Sequence, residues 1–301
     1  MNIGIIGLGR MGNAIAQRLI DADYPVIGYD RDPAAMVVAK EVGIQTVESI
    51  ESVIRQAKVI WLLLPAGDAV DEVLKKLMPE IGPGDVIVDG GNSNFKDSVR
   101  RAQMLTAFDA SFIDCGVSGG LQGRGYGFCL TVGGDQAAYI KVHGMLTAVA
   151  TPGGVGHIGG SGAGHYTKMV HNAIEYALLE AYGEGFQLLR QGSFASEALD
   201  FEEISRLWNH GSIIRSWILD LAHRIFERDQ KFEDISGVVG GGQTGRWAVE
   251  DAEEHKVPVP VIHKSLKVRD RSHETGGTYA TKLVALLRHE FGGHPVKKKD
   301  E

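Results

Sequence analysis

The sequence predicts two domains, an α/β domain built on a doubly wound parallel sheet and, after it, an all-helical domain. Three observations predict this order: a glycine-rich turn between an apolar strand and a helix near the N-terminus, further buried strands up to about residue 120, and long helical patterns after them. The 301 residues exceed a typical single domain. We therefore expect one domain over residues 1–161 and a second over residues 162–301.

The first thirty residues alternate strand, glycine turn, helix and strand. An apolar run enters the turn "GLGRMG", an amphipathic segment follows over Asn13 to Ile20, and a second strand, Val26 to Tyr29, ends at Asp30. A GxGxxG in this context is the dinucleotide-binding fingerprint of a Rossmann domain, whereas the same glycines alone would fit an ordinary turn. The cofactor-binding residues predicted in this turn are Gly7, Gly9, Arg10, Met11 and Gly12.

Asp30 and its neighbour bear on the choice of cofactor. The carboxylate at the tip of the second strand would accept hydrogen bonds from the adenosine ribose and repel a 2′-phosphate, which favours NAD. Arg31 favours the opposite choice, because an arginine here can pair with the 2′-phosphate of NADP or stack on adenine. We predict NAD, with NADP as the alternative.

Later strands supply further loops at the carboxyl edge of the sheet, where such folds bind ligands. Residues 59–65, 85–91 and 112–120 read as strands, with a helix near Asp68 to Leu77. Leu64, at the end of the first of these strands, is predicted to contact the cofactor.

The second half of the chain shows helical patterns and no convincing strand. The predicted helices cover residues 163–190, 201–227, 244–255 and 261–291. The loop from Gly237 to Gly245 precedes one of them, and it would either present N–H groups to an anion or serve as a connector.

The segment "KMVHNAIEY" (168–176) concentrates polar side chains. If it is helical, Lys168, His171, Asn172 and Glu175 lie within an arc of about 100°. Apolar residues fill the rest of the circumference, so we expect both faces to be buried, with the polar face used in catalysis. A solvated face with incidental charges would show the same spacing.

Composition excludes several classes of function. The net charge is −7 and the only basic run is Lys297 to Lys299, so no nucleic-acid partner is expected. Cys115 and Cys129 are the only cysteines, which disfavours disulfides and a metal site and indicates a reducing, cytoplasmic compartment. The N-terminus has no signal-peptide pattern, and the apolar run 59–66 is too short to cross a membrane.

Four segments together resemble the decarboxylating 6-phosphogluconate dehydrogenases, within the β-hydroxyacid dehydrogenases, in their short bacterial form. They are "GLGRMG" (7–12), "DGGNSNFKDSVRR" (89–101), "GVSGGLQGRGYG" (116–127) and "GAGHYTKMVHNAIEYALLEA" (162–181), and "TGRW" (244–247) and "FGGH" (291–294) extend the likeness towards the C-terminus. The resemblance implies an enzyme of the pentose phosphate pathway and gluconate utilization. It would oxidise 6-phosphogluconate with NAD or NADP and release ribulose 5-phosphate and CO₂, without a metal.

The resemblance also assigns roles to residues. It implies Lys168 as the base on the substrate's 3-hydroxyl, Glu175 as the later proton donor, and Asn172 and His171 as substrate-holding groups. It also implies that Asn92 contacts the cofactor where nicotinamide and substrate meet. The implied substrate-binding residues are Asn92, Ser118, Gly119, Gly120, His171, Asn172, Tyr176, Thr244, Arg269, Arg288 and His294. In the longer enzymes the counterparts of the last two reach into a neighbouring subunit, which implies a homodimer or homotetramer here.

Three positions depart from the family pattern. Asp32 stands where NADP-using relatives have threonine, which supports NAD. Gly242 replaces a phosphate-binding lysine, so that contact is missing or comes from elsewhere. Pro65 replaces a lysine beside the cofactor, with no consequence that the sequence reveals.

Two other functions fit parts of the pattern. A dehydrogenase of a smaller acid such as 3-hydroxyisobutyrate would share the lysine and the asparagine, but it has no need of Glu175 as a second proton donor. A non-catalytic NAD(H) sensor would not need Lys168. For catalysis the lysine must be neutral, which burial and nearby positive charge would favour by lowering its pKa.

Overall fold

The computed structural model describes residues 1–299, and the chain divides into two compact units, Met1–Met169 and Val170 onward. The division falls inside a long helix. The domain boundary expected between residues 161 and 162 remains a prediction.

The first unit is built on one eight-stranded sheet, in the order β3-β2-β1-β4-β5-β6-β7-β8. Its strands are β1 (Ile3–Ile6), β2 (Val26–Tyr29), β3 (Gln45–Thr46), β4 (Val59–Leu62), β5 (Val86–Asp89), β6 (Ser111–Ser118), β7 (Phe128–Gly134) and β8 (Ala150–Gly159). Neighbouring strands are parallel except for β6 and β7. The predicted α/β class with a doubly wound sheet is confirmed, with an antiparallel pair added near one edge.

Helices connect these strands and cover the sheet. They are α1 (Arg10–Asp21), α2 (Pro33–Glu41), α3 (Ile50–Ile54), α4 (Asp68–Leu77), α5 (Phe95–Leu105), α6 (Gly123–Tyr126) and α7 (Gln136–Val149). Every residue of β1 and β4 is buried, as expected of parallel strands packed on both faces.

The glycine turn after β1 depends on two of its glycines. Gly7 has φ +98°, a conformation that costs glycine little and strains other residues. A Cβ on Gly12 would overlap the carbonyl oxygen of Gly7, so only glycine lets α1 begin this close to the strand. Helix α1 begins at Arg10, three residues earlier than the amphipathic pattern indicated.

Strands β7 and β8 were not predicted. The segment of β8, "ATPGGVGHIG", is rich in glycine and shows no apolar alternation. Its pairing with β7 stabilises it instead, with Leu130 opposite Val155 and Val132 opposite His157.

The second unit is all-helical, as predicted. Its helices are α8 (Ala163–Gln191, which begins in the first unit), α9 (Phe201–Asn209), α10 (Trp217–Arg228), α11 (Gln243–Glu254), α12 (Pro260–Thr275) and α13 (Tyr279–Gly292). An aromatic cluster fills its core, with Phe186, Phe201, Phe226, Phe232 and Tyr279 in contact.

Two predicted helices are each divided in two. The pattern over 201–227 breaks between α9 and α10, where Gly211 has φ +97°, and that over 261–291 breaks at Gly276 and Gly277, with φ +76° and +80°. A residue with positive φ leaves the helical conformation and ends the helix, and glycine adopts positive φ readily.

Among the residues described, no helix combines the length and the apolar character needed to cross a bilayer.

Candidate active site

The turn between β1 and α1 has the features that a dinucleotide requires. A Cβ built on Gly9 would meet nothing within 4 Å, so the backbone at this position is open to a ligand. Gly9 is the N-cap of α1, and no side chain within the described residues caps it. Open N–H groups and the helix dipole make such an N-terminus suited to a pyrophosphate.

Asp30 is held at the end of β2 by two backbone groups. Leu8 N–H donates to its Oδ2 at 2.6 Å and Asp32 N–H donates to its Oδ1 at 2.9 Å. Asp32 is the N-cap of α2, and its Oδ1 accepts from Ala34 N–H at 2.9 Å. Arg31 is exposed between these two carboxylates.

A buried polar network fixes the loop after β5 that carries Asn92. Asp89 Oδ1 accepts from Gly91 N–H at 3.0 Å, and Asp89 Oδ2 accepts from Ser93 Oγ at 2.7 Å. The fully buried Arg101 donates to Ser93 Oγ at 3.3 Å and to Asp89 Oδ2 at 3.4 Å. The loop is thus anchored beneath Asn92, which is exposed.

Lys168 lies in the second turn of α8, beside the end of β6. Its Nζ donates to Ser118 Oγ at 2.7 Å. Gly119 and Gly120 follow with φ +131° and +55°, which turns the chain immediately after Ser118. A Cβ on Gly116 would overlap the Cβ of Lys168, so glycine on β6 lets this helix approach the strand.

The N-terminus of α8 is capped by a residue from β6. Asp114 is fully buried, and its two oxygens accept from Gly162 N–H at 2.7 Å and His165 N–H at 2.8 Å. A carboxylate at this end of a helix is favoured by the helix dipole. This link sets the position of the helix that carries Lys168.

Replacing Asp114 with asparagine should therefore impair both folding and catalysis. An amide offers one acceptor where the carboxylate offers two, and it turns an N–H donor towards the helix N–H groups. We expect a loss of about 2 kcal/mol in the free energy of unfolding, measured in denaturant, with a lower kcat. As a control, Asp200→Asn makes the same change at the exposed N-cap of α9, where asparagine serves as well as aspartate. Equal losses in the two variants would contradict the role given to Asp114.

In the second unit, Thr244 joins two of the predicted substrate residues. Its Oγ1 lies 3.0 Å from Tyr176 Oη and 3.5 Å from Asn172 Nδ2. His171 Nδ1 lies 3.1 Å from Asn172 Oδ1. Asn172 and Tyr176 are buried, whereas His171 is exposed.

The ring of Tyr176 lies between α11 and α12. The guanidinium carbon of Arg269 is 3.8 Å from the ring centroid, a cation–π contact. A Cβ on Gly245 would overlap the same ring, so this glycine of "TGRW" allows the close packing. Arg269 is 1% exposed, and within residues 1–299 neither of its terminal nitrogens has a hydrogen-bond partner. A buried cation left in this state requires an anion.

Arg288 and the N-terminus of α11 add positive potential near Arg269. Both arginines lie against the loop before α11, since a Cβ on Gly241 would be 3.0 Å from Arg288 Nη2 and a Cβ on Gly242 would be 3.6 Å from Arg269 Cδ. Gly242 is the N-cap of the twelve-residue α11. Burial and, to a smaller extent, the charge of Arg269 lower the pKa of Arg288 to about 10, against the opposing effects of Tyr176 and Glu175. The helix N-terminus and two arginines thus form a site suited to a phosphate.

One expectation about these residues needs correction. Helix α8 does not bury both faces, since Ile174 is 49% and Leu178 is 47% exposed. Arg288 is 8% exposed and lies close enough to Arg269 of its own chain for the two charges to interact, and its reach into a neighbouring subunit's site remains a prediction. His294, by contrast, is exposed.

Other groups that could bind an ion are less enclosed. Glu202, His223 and Glu227, on α9 and α10, bring their ligand atoms within 4.8 Å of one another, but Glu227 is exposed. Exposed carboxylates pair in this way without an ion, so we assign no metal to them.

Comparison with known proteins gives the family of the chain. A family model described as the NAD binding domain of 6-phosphogluconate dehydrogenase matches residues 2–160, and the model of the C-terminal domain of the same enzyme matches residues 164–300. The chain belongs to the 6-phosphogluconate dehydrogenase family. Both models together cover nearly its whole length.

Individual members of this family are similar over the full chain. The NAD(+)-dependent, decarboxylating 6-phosphogluconate dehydrogenase of Haloferax volcanii is 45% identical over 306 residues, covering 100% of each chain. A putative 6-phosphogluconate dehydrogenase of Bacillus subtilis is 39% identical over 302 residues, covering 99% of this chain and 100% of its own.

Solved structures agree with the fold. The 6-phosphogluconate dehydrogenase of Plasmodium falciparum has a TM-score of 0.82 at 28% identity, over 91% of this chain and 62% of that one. The 3-hydroxyisobutyrate dehydrogenase of Mycobacterium tuberculosis has a TM-score of 0.76 at 19% identity, over 95% and 99% of the two chains, which shows a shared fold.

Proposed function

We propose that this chain catalyses the NAD-dependent oxidative decarboxylation of 6-phosphogluconate to ribulose 5-phosphate and CO₂, a step of the pentose phosphate pathway. The observation that carries this assignment is the anion site of Arg269, Arg288 and the N-terminus of α11, with Tyr176 packed against Arg269. The full-length similarity to the Haloferax volcanii enzyme supports it. A phosphorylated substrate gives this buried positive charge a partner, and a small unphosphorylated acid does not.

Lys168 is the proposed base. Its neutral amine takes the proton of the substrate's 3-hydroxyl, and Ser118, at 2.7 Å, holds the amine in place. The product of oxidation is a 3-keto acid with its carboxylate β to the ketone. Breaking the bond between C1 and C2 then releases CO₂, and its electron pair forms a C2–C3 double bond while the carbonyl pair moves to the C3 oxygen, which gives an enediolate. The ammonium of Lys168 stabilises the negative oxygen formed at C3.

Glu175 is the proposed donor of the second proton. It lies seven residues after Lys168 on the same helix, two turns along the same face. It protonates the enediol carbon that has lost CO₂, which gives ribulose 5-phosphate. Asn172 and His171 hold the substrate hydroxyl and carboxylate groups, and Tyr176, Thr244, Arg269 and Arg288 hold the phosphate.

The first unit fits NAD at the turn of Gly7, Gly9 and Gly12, with Asp30 against the adenosine ribose. When bound, NAD accepts the hydride that oxidation of C3 releases. Asp30 and Asp32 place two negative charges at the end of β2, where a 2′-phosphate would have to lie.

We therefore expect kcat/KM to favour NAD over NADP by about tenfold or more, in initial-rate assays at 340 nm with 6-phosphogluconate. Asp32→Asn removes one charge yet keeps a good N-cap for α2, so its effect reports charge alone. It should raise kcat/KM for NADP several-fold and leave the value for NAD nearly unchanged. A wild-type preference for NADP would show that Arg31 outweighs both carboxylates.

The competing functions give different results in the same assay. A 3-hydroxyisobutyrate dehydrogenase would reduce NAD with that acid and not with 6-phosphogluconate. A sensor would bind NAD and turn over neither substrate. Turnover of 6-phosphogluconate with release of ribulose 5-phosphate is the result that we expect.

We also propose that the chain assembles as a homo-oligomer. Ile174, Leu178 and Leu188 of α8 are 49%, 47% and 71% exposed, and a second copy of the chain would cover these apolar side chains.

A further inference from the structure

Glu180 is a buried acid that the proposed reaction does not use. It lies on α8, one turn after Tyr176, and is 5% exposed. Within the described part of the chain, neither of its carboxylate oxygens has a hydrogen-bond partner. Burying a carboxylate without hydrogen bonds is costly, so a group nearby must compensate or the site must have a use for it.

The charge that acts most favourably on Glu180 is that of Arg269. The pKa of the Glu180 carboxyl is raised to about 7, because the effect of burial, to which Glu184 of the same helix adds, outweighs the opposing charge of Arg269. Arg269 is buried and also lacks hydrogen-bond partners at both terminal nitrogens. Glu180 and Arg269 are thus buried opposite charges that attract each other without a direct hydrogen bond. An anionic ligand could accept hydrogen bonds from Arg269, but it could offer none to the carboxylate of Glu180.

We propose that Glu180 is the counter-charge of Arg269 in the empty site, and that an anion bound by Arg269 replaces it and makes Glu180 take up one proton from solvent. Glu180 is thus a positioning residue that acts through Arg269. This inference rests on the proposed function of the anion site, and it adds a specific coupling between substrate binding and pH.

The sign of the coupling follows from the charges. Below about pH 7 Glu180 is neutral, and a dianion meets Arg269 and Arg288 with no opposing carboxylate. Above this pH Glu180 is ionised, competes for Arg269 and repels the dianion. A bound dianion that raises the pKa of Glu180 by one unit makes affinity about tenfold higher at low pH than at high pH.

Sulfate is the suitable probe, because it remains a dianion throughout this range whereas a phosphate ester takes up a proton near pH 6. Binding of sodium sulfate to the intact protein would be measured by calorimetry at pH 6.0 and 8.5, at constant ionic strength and in two buffers of different ionisation heat. The wild type should bind about tenfold more weakly at pH 8.5 and take up protons near neutral pH. Glu180→Gln, which keeps the shape of the side chain, should match the wild type at pH 6.0 and lose the tenfold fall in affinity that Glu180 causes at pH 8.5.

Glu184→Gln is the matched control, since it makes the same change one turn along α8 at an exposed site. Removing the charge of Glu184 lowers the pKa of Glu180. The affinity of Glu184→Gln for sulfate should therefore begin to fall at a lower pH than that of the wild type, by the same total factor. Histidines titrate in the same range, and His171 is near Asn172, but its contribution is common to all three proteins.

An equal pH dependence in the wild type and Glu180→Gln would overturn the inference, and so would uniformly weaker binding by Glu180→Gln. Neither result depends on turnover. If sulfate binding shows the coupling while 6-phosphogluconate gives no NADH, the anion site and its counter-charge are correct and the proposed substrate is wrong.

Discussion

Replacing Lys168 with methionine should lower kcat for 6-phosphogluconate by about 10³-fold or more, because no other group near the end of β6 is proposed to take the hydroxyl proton. Methionine keeps most of the length and volume of the side chain and removes the amine that donates to Ser118. NADH formation at 340 nm gives the rate. Binding of NAD should persist, because the fingerprint residues lie in the turn of β1 and α1.

Lys267→Met is the control, since it removes an exposed lysine from α12. Its kcat and its KM for substrate should match those of the wild type within a factor of about two, as expected of a surface change. Substantial activity in Lys168→Met with an unchanged pH profile would show that another group is the base.

Replacing Arg269 with methionine should lower kcat/KM for 6-phosphogluconate by about 100-fold, mainly through KM. A charged hydrogen bond to phosphate contributes about 1.5–3 kcal/mol, and the contact with Tyr176 is lost as well. The KM for NAD should not change. The free energy of unfolding should fall as well, because the change removes the counter-charge of the buried Glu180, and unfolding in denaturant measures this loss separately from KM.

Arg271→Met removes an exposed arginine from the same helix and is the matched control. Subunit mixing tests the position of Arg288. Because it lies beside Gly241 of its own chain, Lys168→Met and Arg288→Met chains should stay inactive when mixed. Recovered activity would show that Arg288 acts in a neighbouring subunit.

The N-terminal fold could be predicted because its signals are local. The turn from Gly7 to Gly12 requires glycine at fixed positions, and β2 and α4 begin and end at the residues that the sequence indicated. Strands β7 and β8 depend on each other and on β6 for pairing. The segment of β8 carries too little apolar alternation to indicate a strand, whereas the alternation of Phe128, Leu130 and Val132 in β7 was a signal that the prediction missed.

Helix breaks in the second unit were missed for a different reason. Apolar residues resume soon after Gly211, at Ile213 and Ile214, so the period gives no sign of that turn. Glycine within a helical pattern is tolerated often enough that its position does not identify a break. Residues 270–278, by contrast, contain no apolar residue and carry the pair Gly276 and Gly277, a turn signal that the helical prediction passed over.

The site was predicted as a set of residue types, but its geometry was not. Lys168 and Ser118 are fifty residues apart, and only the packing of α8 on β6 brings them within hydrogen-bonding distance. Asp114 and Glu180 carried no sequence signal, because a single acid in a strand or helix is usually a surface charge. Their burial identifies them.

The most direct measurement of the proposed reaction uses 6-phosphogluconate labelled with ¹³C at C1, with NAD as the oxidant. The account predicts one labelled CO₂ for each NADH formed, with ribulose 5-phosphate in equal amount. NADH formed without labelled CO₂ would contradict decarboxylation, and labelled substrate left intact under saturating NAD would contradict the assignment of the substrate.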